Sequence, residues 1–258
     1  MAEDSMPRIA SLYRYPVKGL TPEAMTQVAL RPAETMPWDR AYAIENGPGR
    51  FDPDNPRHLP KINFLMLMRN ERLAGLVTHF DDTTQVLTIA RSGRQVARGD
   101  LATAIGRKLI EQFLAAYMSA DLRGAPKIVA AAGHSFSDVA EKCVHIVNLA
   151  SLRELERIAG RSIDPLRFRA NVYLDGLPAW CELAWVGQRL RLGAVDIDVF
   201  DRTVRCEATN VDPSTAQRDM AIPAVLQRTW RRADFGVYAK VVTDGLIAVG
   251  DAVIGPSA

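Results

Sequence analysis

Between residues 8 and 100 the chain runs through short, β-branched segments separated by turn residues, with no helical period between them. The segments are 8–15, 24–30, 41–45, 64–68, 75–80, 85–90 and 94–97. Neighbouring parallel strands need a long crossover, usually a helix. Strands that do not alternate regularly with helices therefore fit a barrel-like sheet better than a parallel sheet. One stretch departs from this rhythm. Residues 46–60 carry Gly47, Pro48, Gly49, Pro53, Pro56 and Pro60, a density of breakers that predicts a long loop of the functional kind.

Helical spacing first appears after Asp100, a candidate N-cap. Leu101, Ile105, Leu109 and Phe113 recur every four residues as one apolar stripe. Gly124 and Pro126 then mark a boundary, dividing the chain into residues 1–123 and 124–258. A second helix is expected from Asn148 or Ser151. Ser151 and Glu154 have capping-box spacing, Leu152, Leu155, Ile158 and Ala159 form the buried face, and Gly160 ends it. A third helix is expected around 220–230. Gly193-Ala194 suits a two-residue hairpin loop between 188–192 and 195–200. That register sets Arg191 opposite Asp196, Arg189 opposite Asp198 and Leu190 opposite Ile197. Asp244-Gly245 suits a second hairpin, between 238–243 and 246–249. The expected fold is mainly β with helices, an α+β barrel-like sheet decorated with helices.

The 258 residues carry 32 Lys and Arg against 30 Asp and Glu. A net charge of +2 gives the whole surface no drive toward nucleic acid. No segment approaches the ~20 apolar residues of a membrane helix. The start, Met-Ala-Glu-Asp-Ser, lacks the apolar stretch of a signal peptide. Cys143, Cys181 and Cys206 are odd in number and widely spaced, which favours a reducing, cytoplasmic setting over a disulfide framework. The nucleophile elbow, the Walker loop and H-E-x-x-H are absent, and Gly47-Pro48-Gly49 lacks the third glycine of a dinucleotide fingerprint. His58, His79, His134 and His145 show no i, i+4 pairing, so a zinc site is not expected. Asp196 and Asp198 read as a hairpin pair matched by arginines, not as a metal site.

The informative segment is residues 201–213, which follows directly on a strand. Cys206 has Arg202 and Arg205 beside it. Cationic neighbours favour the thiolate, which ligates soft metals or attacks electrophiles; the alternative is a small thiol packed in a turn. Cys143 and Cys181 lack this setting and read as structural. In Arg167-Phe168-Arg169-Ala170-Asn171, an extended backbone would point both arginines the same way, as a clamp for one anion or as a solvated pair.

Six ordered pieces then resemble the MOSC superfamily, named after the C-terminal domain of molybdenum cofactor sulfurase. They are Tyr15-Pro16-Val17-Lys18, Trp38-Asp39-Arg40-Ala41-Tyr42, Arg167-Phe168-Arg169-Ala170-Asn171, Trp185-Val186-Gly187, residues 203–213 and Val249-Gly250-Asp251. The resemblance is to two-part members, among them the mitochondrial amidoxime reducing component and its bacterial relatives. It implies an N-terminal β-barrel-like domain before a barrel-like MOSC domain, and molybdenum cofactor (molybdopterin) between the two. On this resemblance Cys206 is the thiolate ligand of molybdenum. Lys18, Arg40 and Arg169 anchor the cofactor's phosphate and pterin, Asn171 suits the pterin edge, and Arg205 tunes the ligand. Thr209 belongs to the same signature, and Asp138 matches an aspartate near the metal. Two positions depart from the pattern: Gly19 stands where a Ser often follows the Lys, and Ala170 replaces a Pro, which is expected to loosen the start of the following strand.

Three functions follow. The first is reduction of small N-hydroxylated substrates. Without an iron–sulfur cysteine run, the electrons would come from an external electron-transfer protein. The second is a carrier of the cofactor, or of sulfur as a persulfide on Cys206. The third is a non-catalytic anion-binding module. No nucleic-acid or membrane partner is expected.

Overall fold

The computed structural model describes residues 6–256, so the acidic start read above lies outside the described residues. The first segment contains β1 (Arg8–Arg14), β2 (Glu23–Met25), β3 (Gln27–Leu30), β4 (Ala43–Glu45), β5 (Val77–Asp81), β6 (Val86–Arg91), β7 (Arg94–Asp100) and α1 (Ala104–Tyr117). Then come β8 (Lys127–Val129), β9 (Val144–Asn148), α2 (Leu149–Ala159), β10 (Val172–Asp175), β11 (Arg189–Leu192) and β12 (Val195–Val204). The chain continues through α3 (Ile222–Trp230), β13 (Asp234–Val241), β14 (Gly245–Ala248) and β15 (Val253–Ile254).

The dominant element is a curled, eight-stranded sheet in the order β15-β11-β12-β13-β9-β10-β1-β2. Its pairs are antiparallel except β9 and β10, which α2 connects. The fold is mainly β with three α-helices, as the strand run implied. Alternation along the strands buries one face of the sheet around Ile146, Val172, Ile197 and Val237. The other face packs Tyr173, Phe168 and Phe235 against α2 and α3. A separate core lies between α1 and the β5-β6-β7 meander. No helix among the described residues is long and apolar enough to cross a membrane.

Several expectations hold residue for residue. β11 and β12 pair as read, with Arg189 and Arg191 bonded to Asp198 and Asp196 at 2.7 Å. α2 starts after Asn148 and ends on Gly160 in the left-handed region.

Others fail for identifiable reasons. Residues 24–30 are two strands, broken at Thr26: β2 joins the large sheet and β3 pairs with β14. Residues 64–68 form no strand. Asn70 accepts the Met66 N–H at 3.0 Å and folds the run into a buried turn. Asp100 ends β7 and Thr103 caps α1 instead. The stripe on α1 is misplaced: Ile105 and Leu109 are 77% and 49% exposed, and Gly106, Ile110 and Leu114 face inward. A Cβ on Gly106 would lie 2.0 Å from the Asp100 carbonyl oxygen. The helix thus sits on β7 through a glycine, which an apolar count does not register. Ser151 makes no capping box, because its hydroxyl donates to Glu182. The turn at Asp244-Gly245 closes no hairpin, since both edges of β13 are already taken by β12 and β9.

Candidate active site between the two sequence halves

A pocket of about 110 Å³ gathers Lys18, Arg40 and Lys61 from the first half and Asp138, Arg169, Arg205 and Cys206 from the second. Cys206 lies just beyond the end of β12. The Arg205 N–H donates to the Ala233 carbonyl at 2.9 Å, which fixes the strand end. The Cys206 carbonyl accepts from the Thr209 N–H and hydroxyl at 3.1 and 3.0 Å, closing a 3-10 turn over Glu207–Asn210. Thr209 is buried and spends its hydroxyl on that turn.

The cations around the thiol differ from those read in the sequence. Arg202 leaves the pocket: its Nε donates to the Leu183 carbonyl and its Nη1 lies 3.8 Å from Asp234. Lys61 takes that place. The Asp138 carboxylate and the Cys206 thiol offset the burial of the Lys61 ammonium and raise its pKa. No motif marks Lys61, which follows Pro60 at the end of the breaker-rich loop. Arg205 sends Nη2 to the Phe168 carbonyl at 2.6 Å and Nη1 toward His145 Nε2 at 3.2 Å. Burial, then Arg205, push the His145 imidazole well below its usual range, so the neutral ring accepts this bond.

Asp138 bridges two lysines. Its Oδ1 lies 2.5 Å from Lys18 Nζ and its Oδ2 3.5 Å from Lys61 Nζ. Burial alone would raise this carboxyl, but Lys18 and Lys61 hold it well below the usual carboxylate range. Lys18 is buried, which lowers its pKa, and Asp138 only partly restores it. Lys18 also donates to the Phe136 carbonyl at 2.8 Å.

Arg40 and Arg169 flank one ring. Both guanidinium carbons lie 4.3 Å from the centroid of the buried Tyr15. Arg40 is held by both oxygens of Asp39 at 2.7 and 2.6 Å and donates to the Arg169 carbonyl at 2.8 Å. Arg169 donates through Nη1 to the Leu20 carbonyl, while its Nη2 is buried without a partner. No carboxylate lies within ion-pair distance of Arg169 among the described residues, and burial lowers its pKa to about 10.

Arg167 and Arg169 make no extended clamp. Residues 165–168 form a 3-10 turn capped by Asp164, and Arg169 adopts φ +52°. Arg167 turns inward, 2% exposed, to Asp212 and Asp219 at 2.7 and 2.8 Å. Asn171 lines the pocket but spends its amide on the backbone, accepting from His145 N–H and donating to the Tyr13 carbonyl.

Both departures from the family pattern have local causes. Gly19 adopts φ +84°, and a Cβ there would meet the Leu65 carbonyl at 3.1 Å. The Ala170 N–H donates to the Tyr173 hydroxyl at 3.2 Å, a bond proline cannot make, so this stretch is tied rather than loosened.

The cluster holds more cations than carboxylates. Its unpartnered donors, Arg167 Nε, Arg169 Nη2 and Arg205 Nε, lie on pocket-lining residues. A buried charge or donor without a partner is costly. The donor set therefore fits an anion, with a thiol beside it for a soft metal. Among the described residues, no group of three His, Cys, Asp or Glu is placed to hold a metal on its own.

Residues 28% identical over 120 positions match mitochondrial amidoxime-reducing component 1 of Mus musculus, covering 42% of this chain and 35% of that one. Molybdenum cofactor sulfurase of Caenorhabditis elegans is 30% identical over 99 residues, covering 37% and 14%. The chain thus spans about a third or less of the length of these relatives. Among solved structures, the YUAD protein of Bacillus subtilis aligns over 96% of this chain and 94% of its own, with a TM-score of 0.43 and 11% identity. YiiM of Geobacillus stearothermophilus covers 44% and 54%, with a TM-score of 0.35 and 18% identity. The MOSC N-terminal beta barrel domain model matches residues 6–139 and the MOSC domain model residues 128–254, and the chain belongs to the MOSC family.

Proposed function

We propose that the protein is a molybdenum-cofactor oxidoreductase that reduces small N-hydroxylated compounds, with electrons delivered by an external electron-transfer protein. The observation that carries this reading is the meeting of Cys206 with a surplus of cations, among which Arg169 and Arg205 each keep a buried donor without a partner. The amidoxime-reducing and sulfurase relatives support it by their names. Cys206 would supply the thiolate to molybdenum. Lys18, Arg169 and Arg205 would hold the cofactor's anionic end, and Arg40, neutralised by Asp39, would keep Arg169 in place. When bound, the cofactor supplies the two-electron chemistry that removes oxygen from nitrogen. The chain's own residues would orient the bound molecule, and Asp138 bridges the ammonium groups of Lys18 and Lys61.

The test is molybdenum content per chain, from a host that makes the cofactor, together with amidoxime reduction by an artificial electron donor. Near-stoichiometric metal and activity are expected in the parent, and both are expected to be lost in Cys206→Ala. Activity unchanged in that variant would falsify the ligand role. The sulfurase relative favours a second reading, transfer of cofactor or sulfur. A persulfide on Cys206, seen by mass spectrometry in a protein without reductase activity, would select it.

A further inference from the structure

Tyr15 touches both arginines on the anion side of the pocket. Its N–H donates to Asp39 Oδ1 at 2.9 Å, and its carbonyl accepts the Arg40 N–H at 2.7 Å. Its hydroxyl donates to the Ala170 carbonyl at 3.3 Å, next to Arg169. Its ring receives both guanidinium groups at 4.3 Å. The two arginines sit in left-handed backbone, φ +52° each, a conformation that surrounding contacts must impose on a non-glycine residue.

The two cations are not equivalent. Arg40 has the Asp39 carboxylate. Arg169 has one carbonyl and the ring, and leaves a buried Nη2 unpartnered. An aromatic face attracts a desolvated cation through its quadrupole. We propose that Tyr15 is a positioning residue whose ring holds Arg169 beside Arg40 in the ligand-free pocket, ready for a phosphate-class anion. The ring lets a guanidinium without a carboxylate stay buried, so its free donor is kept for the ligand rather than satisfied within the protein. A carboxylate in that place would hold Arg169 equally well and would repel the anion. The inference rests on the anion-binding part of the function proposed above.

The test uses the full chain and inorganic phosphate, with binding followed by calorimetry. Tyr15→Phe keeps the ring and is expected to bind within about threefold of the parent. Replacing position 15 by phenylalanines of increasing fluorination keeps the shape and withdraws charge from the ring face. Phosphate binding is then expected to weaken stepwise, to about tenfold or more, as two desolvated cation–ring contacts fade. A merely space-filling Tyr15 would give a flat series. A flat series with phosphate bound normally overturns the role of Tyr15 and leaves the anion site standing. Failure of the parent to bind phosphate overturns both. Circular dichroism of each variant separates loss of binding from loss of fold, and the fluorinated rings make that loss the less expected result.

Discussion

The hairpin of β11 and β12 and the pocket beside Cys206 are built from the same residue types, and they treat charge in opposite ways. On the hairpin each arginine faces its own aspartate across the strands, in water. In the pocket Lys18, Arg40, Lys61, Arg169 and Arg205 share Asp39 and Asp138; Lys18 is buried and the other four are half-buried. Exposed, matched pairs contribute little, because water screens them and ordering two long side chains offsets the attraction. Buried, unmatched cations cost stability, and a fold keeps them where a ligand completes the set. Local surplus, rather than number of charges, separates a surface from a site.

Arg167 offers the harshest way to break this comparison. It is buried and paired with Asp212 and Asp219, with one buried donor, Nε, left over, so it is matched like the hairpin yet lies deeper than the other arginines of the pocket. Arg167→Ala is expected to cost up to about 3 kcal/mol, the loss of its charged hydrogen bonds, measured by denaturant unfolding. It should also free the loop after Cys206, whose Asn210 carbonyl it binds. A loss below about 1 kcal/mol would mean that water, Arg161 and the Ser214 and Thr215 N–H groups already satisfy the two aspartates.

Arg169→Met sharpens the contrast from the other side. Burial of this guanidinium is not offset by a carboxylate, so the ligand-free variant is expected to be as stable as the parent or up to about 1–4 kcal/mol more stable. Phosphate binding should fall at least tenfold. Loss of stability in the variant would show that the carbonyl and ring contacts already satisfy Arg169.

Asp138→Asn tests the shared carboxylate through pH. The folded-state pKa of Asp138 lies below its unfolded value, so its stabilisation is present above the ordinary carboxylate range. That stabilisation is lost as the pH falls through and below the range. The parent should therefore lose thermal stability on acidification more steeply than the variant. Parallel curves would remove Asp138 from the account.

The smallest effect belongs to the hairpin. A double-mutant cycle of Arg189→Ala and Asp198→Ala is expected to give a weak coupling, the smallest of the set, that fades in salt. A larger, salt-resistant coupling would erase the distinction between the two regions.

What the sequence disclosed follows the range of the forces involved. The hairpin register was legible because a two-residue loop and alternation determine it within a dozen residues. Cys206, Lys18, Arg40 and Arg169 were legible because ordered motifs carry them, and the pocket does bring them together. The inward turn of Arg167 was hidden, since its partners lie some 45 residues away and a 3-10 turn replaces the extended backbone. Lys61 reaches Asp138 across 77 positions from a loop without pattern. The buried face of α1 was hidden for a different reason, because Gly106 brings the helix close without adding apolar surface.

The large sheet also fixes an order of events in the life of the chain. β1 lies next to β10, residues 7–9 bond to residues 251–253, and β3 waits for β14. Contacts of such sequence separation form late and slow the search for the native state. During synthesis the segment carrying Lys18 and Arg40 leaves the ribosome long before Arg169 and Cys206 exist. The anion pocket is thus complete only once the chain has been made well past Cys206, and a cofactor that needs both banks of the cleft cannot be received before then.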